Sequence, residues 1–173
     1  MLFFLSALTL FMSQTEFEKV TQVFTSRGIP FQALEHEPAR TSAEAAAVRG
    51  GEIANGVKSL LVKAKRKERE FFAVINLPAD KKLDWKKAKA VLQADDVRFA
   101  SEQEVIDQTG CPPGGVPPFG FANDLAILVD RKVLDRQTSE FNAGLKTKSV
   151  RLATADLKKA FDAVGVAYFD LSE

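Results

Sequence analysis

Residues Val57 to Leu77 read VKSLLVKAKRKEREFFAVINL. Two apolar runs, 57–64 and 70–77, flank the charged stretch KRKERE, a pattern that predicts a β-hairpin with a solvated tip. In the second run Phe71, Ala73, Ile75 and Leu77 alternate onto one face, while Phe72 and Val74 fall on the other. A strand that is apolar on both faces belongs in the middle of a covered sheet. The flanking sequence must then supply the covering layers.

Upstream, Thr41 and Glu44 form a capping box that opens an alanine-rich helix through Val48, closed by Gly50-Gly51. A short strand is predicted over 31–34. Before it, Thr15 and Glu18 make another capping box, for a helix with Phe17, Val20, Val23 and Phe24 at helical spacing; Gly28 and Pro30 stop it. Downstream, Asp84 is the expected N-cap of the helix WKKAKAVLQ, and a short strand is expected over 97–100. Ser101 with Glu104 caps a helix that ends near Gly110. The stretch TGCPPGGVPPFG is a loop. Strands follow over 125–129 and 148–152, then the helix ADLKKAFDAVG with Thr154 as its expected cap, and a last strand over 166–169. The sum is a mixed α/β (α+β-like) domain: a curved, largely antiparallel sheet or open barrel surrounded by short helices. A phosphate-binding glycine fingerprint between strand and helix is missing, so a dinucleotide fold is not supported.

No repeat or low-complexity linker divides the chain, and one domain is expected over 13–173. The apolar run MLFFLSALTLF at the start is too short for a membrane span. It reads as an upstream extension before Met12, as a packed or frayed tail, or as the apolar core of a secretory signal. Against the signal, no lysine or arginine precedes the run and no small-x-small cleavage site follows it. A cytosolic protein is the expectation.

Composition removes much chemistry. With 46% hydrophobic and 27% charged residues, the chain has enough apolar surface to fold. Its 24 basic and 23 acidic residues leave a net charge of +1, which argues against a strongly basic nucleic-acid binder. The single cysteine, Cys111, excludes an internal disulfide, and the single histidine, His36, excludes His-rich metal sites. A Ser-His or Cys-His machine would need His36 itself as base. Lysine, carboxylates, hydroxyls and backbone remain.

Lys58 is the first candidate among these. Alternation places it with Leu60, Val62 and Ala64, where a lysine must pair, line a pocket or reach solvent from the strand end. The loop from Gly114 to Gly120, GGVPPFG, lets backbone approach a ligand and offers amides to an oxyanion; it also reads as a stiff connection. His36 either lines a pocket or is a satisfied structural residue. Cys111 has no base committed to it and reads as a bystander. Lys81, Lys82, Lys86, Lys87 and Lys89 surround Trp85, either as a phosphate-backbone grip or as a solvated helix face over a core tryptophan.

In order along the chain stand His36-Glu37-Pro38, the alanine helix, VKSLLV, GGVPPFG, FNAG (Phe141 to Gly144) and DLKKAF. This series resembles the YbaK / prolyl-tRNA-synthetase-associated editing domain family over most of the chain. The resemblance implies hydrolysis of mischarged aminoacyl-tRNA, typically tRNA for proline carrying alanine or cysteine, with related members clearing serine or threonine. It implies no cofactor and no metal. The family's critical lysine falls on Lys58 and its substrate loop on Gly114, Gly115, Val116, Pro117 and Pro118, with Phe119 next to it. Asn142, Gly144 and Ser149 fall near pocket positions, and His36 joins them. Leu34 stands where some cysteine-clearing members carry tyrosine, and FNAG replaces the FHPL of the alanine-clearing type. The expected partners are mischarged tRNA and an aminoacyl-tRNA synthetase, with no membrane and no DNA. A non-catalytic adaptor for tRNA or synthetase is the alternative.

Overall fold

The structure, a computed structural model, describes residues 15–119 and 125–173. The apolar run at the start and Gly120 of the GGVPPFG loop lie outside the described residues. The elements run α1 (15–25), β1 (Gln32–Glu35), α2 (Ser42–Val48), β2 (Val57–Arg66), β3 (Arg69–Pro78), α3 (Trp85–Leu92) and β4 (Asp96–Phe99). They continue with α4 (Glu102–Thr109), β5 (Ala126–Asp130), β6 (Thr138–Leu145), β7 (Lys148–Ala153), α5 (Thr154–Val164) and β8 (Ala167–Phe169).

The predicted hairpin forms, and its strands run to the tip, where Arg66 faces Arg69. β3 is central, as its two apolar faces require. Phe71, Ala73, Ile75 and Leu77 pack with α3 and β4, while Phe72 and Val74 pack under α4 with Cys111 and Val116. The five-stranded sheet has the order β4-β2-β3-β5-β8. Its β2 ladders are antiparallel, but β3–β5 and β5–β8 are parallel, each joined through intervening helices. A second, wholly antiparallel sheet has the order β1-β7-β6. The strands therefore form two open sheets, bridged where Gly56 at the start of β2 meets Glu140 of β6.

Local chemistry explains most boundaries. Thr41 accepts from the Glu44 amide, Asp84 from Lys86 and Lys87, and Ser101 and Glu104 close their capping box reciprocally. Thr154 departs from expectation: Ala153 is the N-cap of α5, and the Thr154 hydroxyl instead bonds Ser139 Oγ at 2.7 Å inside the core. β6 carries no strand signature in its sequence, TSEFNAGL, beyond the FNAG segment. Its alternation is broken at Gly144, whose φ of +93° accompanies a bulge between Asn142 and Leu145. The largest core joins α1, β6, β7 and α5 through rings of Phe24, Phe119, Phe141 and Phe161.

Candidate active site

A cleft of about 250 Å³ opens where the start of β2, one face of α2, the Gly114–Val116 turn and β6 converge. Lys58, Gly114, Val116 and Asn142, all expected from sequence, line it. Arg49, Thr41, Ser42 and Ser59 line it too, and the sequence reading had not singled them out.

Lys58 faces Leu77 across the hairpin and is part-buried. Its Nζ donates to the carbonyls of Ala79, at 3.3 Å, and of Lys81, just beyond β3. An ammonium has three N–H donors, so two carbonyls leave one for another acceptor. Burial pulls its pKa below the ordinary lysine value, and nearby Asp80 offsets part of that effect. Beside it, Ser59 Oγ donates to Asn76 Oδ1 at 2.7 Å, and fully buried Asn76 donates onward to the Pro118 carbonyl at 2.9 Å. The cleft end of the hairpin is thus stitched to the proline loop.

That loop divides between two roles. Gly114 adopts φ +84°, a conformation that strains any residue bearing a Cβ. The Gly115 amide donates to the Pro112 carbonyl at 2.8 Å, and the Gly144 amide donates to the Gly115 carbonyl at 2.8 Å. Of the loop amides expected to face an oxyanion, that of Gly115 is closed inside the loop. The Gly114 and Val116 amides have no partner among the described residues. Gly144 secures the loop rather than lining the cleft. Pro117, Pro118 and Phe119, expected at the substrate, are buried beneath the cleft instead. Phe119 is 4% exposed and packs against Phe24, Phe141 and Phe161, because an apolar Pro-Pro-Phe run gains more in the core than at a polar wall.

Asn142 of β6 donates through Nδ2 to the Gly114 carbonyl at 2.6 Å. Its Oδ1 accepts from Arg49 Nη2 at 2.6 Å and from Ser149 Oγ at 3.0 Å. Arg49 Nε also donates to Ser149 Oγ, at 2.8 Å. His36 Nδ1 donates to the Glu37 carbonyl at 2.8 Å, and Nε2 shares a 2.7 Å hydrogen bond with Ser149 Oγ. His36 and Ser149 thus stand behind the wall and act on it through Arg49 and Asn142. Burial lowers the Arg49 pKa; Glu140 opposes that shift and Arg151 adds to it. Arg49 is the residue sequence reasoning missed. Its only signal was a basic residue ending an alanine helix just before Gly50-Gly51.

The other candidates do not enter the cleft. Burial pushes the Cys111 thiol up to about 12, so it is a poor nucleophile. Trp85 stacks edge-on against Phe99 at 4.7 Å, and its lysine neighbours Lys87 and Lys89 pair with Asp170 and Asp96. Among the described residues no cluster of three His, Cys, Asp or Glu side chains is placed to hold a metal ion. Among them, too, no helix is long and apolar enough to cross a membrane.

The lysine strand, the glycine loop and the Asn142 wall all lie within a stretch, residues 36–160, that one class of protein covers. The aminoacyl-tRNA editing domain family matches residues 36–160, and the chain belongs to it. As a member it is a hydrolase of the ester that joins an amino acid to the wrong tRNA. It is 29% identical, over 80% of its length and 84% of the relative's, to an Escherichia coli K12 protein named multifunctional Ser/Thr-tRNA deacylase ProXp-y. It is 33% identical, over 73% of its length, to a proline–tRNA ligase of Methylobacillus flagellatus, of which it spans only 22%. A solved structure described as a candidate trans-editing enzyme for prolyl-tRNA synthetase superposes with a TM-score of 0.74 at 26% identity, covering 91% of this chain and 97% of that one.

Proposed function

We propose that the chain is a trans-acting deacylase that removes a small non-cognate amino acid from tRNA, with tRNA for proline as the first candidate. The observation that carries this reading is the cleft, which a part-buried lysine lines together with the Gly114–Val116 turn, whose Gly114 and Val116 amides have no partner among the described residues. An aminoacyl ester is already activated, so its hydrolysis needs placement and charge stabilisation more than a strong nucleophile. Lys58 anchors a phosphate, ribose or carbonyl oxygen of the substrate as a cation. The amides of Gly114 and Val116 receive the developing oxyanion. Water attacks, helped by the neighbouring ribose hydroxyl. The bond between the carbonyl carbon and the ribose oxygen breaks, that oxygen takes the proton the water gives up, and the free amino acid departs.

Alanine and cysteine are the side chains the family resemblance suggests first. The lining favours serine and threonine over them, because Thr41, Ser42, Ser59 and Asn142 offer hydrogen bonds to a hydroxyl. A site built to bond a hydroxyl rejects an analogue without one far better than a greasy pocket rejects an extra methylene. The name of the Escherichia coli relative points the same way.

The test is deacylation of alanyl-, cysteinyl-, seryl- and threonyl-tRNA for proline, with prolyl-tRNA as control. Rapid loss of the seryl or threonyl ester with prolyl-tRNA spared supports the reading. Rapid loss of only the alanyl or cysteinyl ester keeps the reaction and overturns the hydroxyl preference. No hydrolysis of any ester favours the adaptor, a reading that the likeness to a segment of a synthetase also suggests. Co-purification with a synthetase would then be the deciding measurement.

A further inference from the structure

We propose that Arg49 is a positioning residue for this reaction: it sets the orientation of the Asn142 amide and thereby holds the Gly114 turn with its free amides at the cleft. The proposal rests on the deacylase reading and adds to it a residue that the family resemblance did not single out.

The argument starts from donor and acceptor chemistry. A guanidinium only donates, so the Asn142 atom facing Arg49 Nη2 at 2.6 Å must be the oxygen. The Asn142 nitrogen must then face the other way, toward the Gly114 carbonyl at 2.6 Å. Remove the arginine, and the Asn142 oxygen keeps the Ser149 hydroxyl at 3.0 Å, a group that can accept as well as donate, so the amide loses its donor-only partner. An Asn142 turned by half a rotation would set its oxygen against the Gly114 carbonyl, two acceptors facing each other. The turn would move to relieve that contact. The Gly115–Pro112 and Gly144–Gly115 hydrogen bonds that close the loop would move with it.

Arg49 is itself held at both ends by the three-stranded sheet. Its head bonds Ser149 of β7 and Asn142 of β6. Its backbone carbonyl accepts from Arg151 Nη2 at 2.7 Å, and Arg151 Nε is fixed by buried Glu140 at 2.7 Å. Glu140 Oε1 lies where a Cβ on residue 51 would come within 2.5 Å, so glycine at 51 lets the helix end sit on that carboxylate. A cation fixed at its carbonyl, its Nε and its Nη2 loses little freedom when it orders its neighbour. Its remaining nitrogen, Nη1, has no partner among the described residues.

The test compares Arg49→Ala, Arg49→Lys and Asn142→Asp with the unaltered chain by two readouts. The first is steady-state deacylation of the ester the unaltered chain hydrolyses best. Because a misplacement of about 1 Å at a reacting centre can cost about a hundredfold, kcat is expected to fall at least about tenfold in Arg49→Ala with KM nearly unchanged. Arg49→Lys keeps a donor-only partner and should recover part of the loss. Asn142→Asp keeps the arginine's acceptor but puts a carboxylate against the Gly114 carbonyl, so it should fall as far as Arg49→Ala. The second readout needs no activity: amide hydrogen exchange at Gly115 and Gly144 should quicken in Arg49→Ala and Asn142→Asp, and less in Arg49→Lys.

A raised KM with unchanged kcat in Arg49→Ala would overturn the proposal and assign Arg49 to substrate binding. Unchanged exchange at both glycines would also overturn it. If the unaltered chain hydrolyses no ester, the deacylase reading fails, and the exchange result alone decides whether Arg49 positions the loop.

Discussion

Lys58 and Lys63 stand on the same strand, β2, one at its cleft end and one at its hairpin end, and their surroundings are opposite. Lys63 Nζ pairs with Glu70 at 2.6 Å and Glu104 at 3.3 Å and lies over the Phe72 ring. The hydrogen bond to Glu70 leads the effects that raise its pKa. Among the described residues Lys58 Nζ bonds only carbonyl oxygens, and burial lowers its pKa. A lysine wrapped in carboxylates is cancelled locally and binds the fold to itself. A lysine held by neutral dipoles keeps its charge available to an incoming anion. On the proposed function one strand thus has a structural end and a reactive end, and the difference is made by the residues that face each ammonium.

The comparison can be broken most directly by truncating each lysine. Lys58→Ala is expected to lower deacylation about a hundredfold or more, the scale of losing a key electrostatic group, while Lys63→Ala stays within about twofold. Equal losses, with circular dichroism showing both variants folded, would erase the distinction. A smaller effect is expected at Asn76, which ties the reactive end to the loop. Asn76→Ala strands Ser59 and the Pro118 carbonyl, and urea unfolding should show a loss of about 1–3 kcal/mol.

The pH dependences sharpen the contrast further. The depressed pKa of Lys58 means that its charge is lost at a lower pH than an ordinary lysine's, about 10.4. Affinity for uncharged tRNA, followed by fluorescence, should weaken on the alkaline side in the unaltered chain and hold steady in Lys58→Arg. The smallest effect belongs to the hairpin end. Glu70 and Glu104 have depressed pKa values, through Lys63 and Arg98 respectively. Their contribution to stability is present above the ordinary glutamate value of about 4.3 and is lost as pH falls through the folded values. Lys63→Met should flatten the acid limb of a thermal-melt series slightly, and added salt should shrink even that difference.

The hairpin, the capped helices and the central place of β3 were legible because alternation and capping are local rules. Four of the residues that line the cleft were legible through motif resemblance: Lys58, Gly114, Val116 and Asn142. β6 was not, since TSEFNAGL hides a buried Glu140 and a bulged Gly144 whose fitness depends on Arg151 and the loop across from it. Arg49 was missed for the same reason. At the end of an alanine helix it reads as a surface cation, and only the pairing of β6 with β7 brings Asn142 and Ser149 under it. The loop misled in its second half because a motif gives residues in a row, whereas the chain turns Pro117 to Phe119 into the core.

That buried half of the loop extends the folding unit upstream of the matched stretch. The family match starts at His36, yet the ring of Phe119 packs 5.8 Å from Phe24 of α1, twelve residues earlier. A fragment starting at His36 would contain every residue lining the cleft and still lack the ring against which its floor rests. The stretch that the family match covers is therefore smaller than the stretch whose packing supports the cleft.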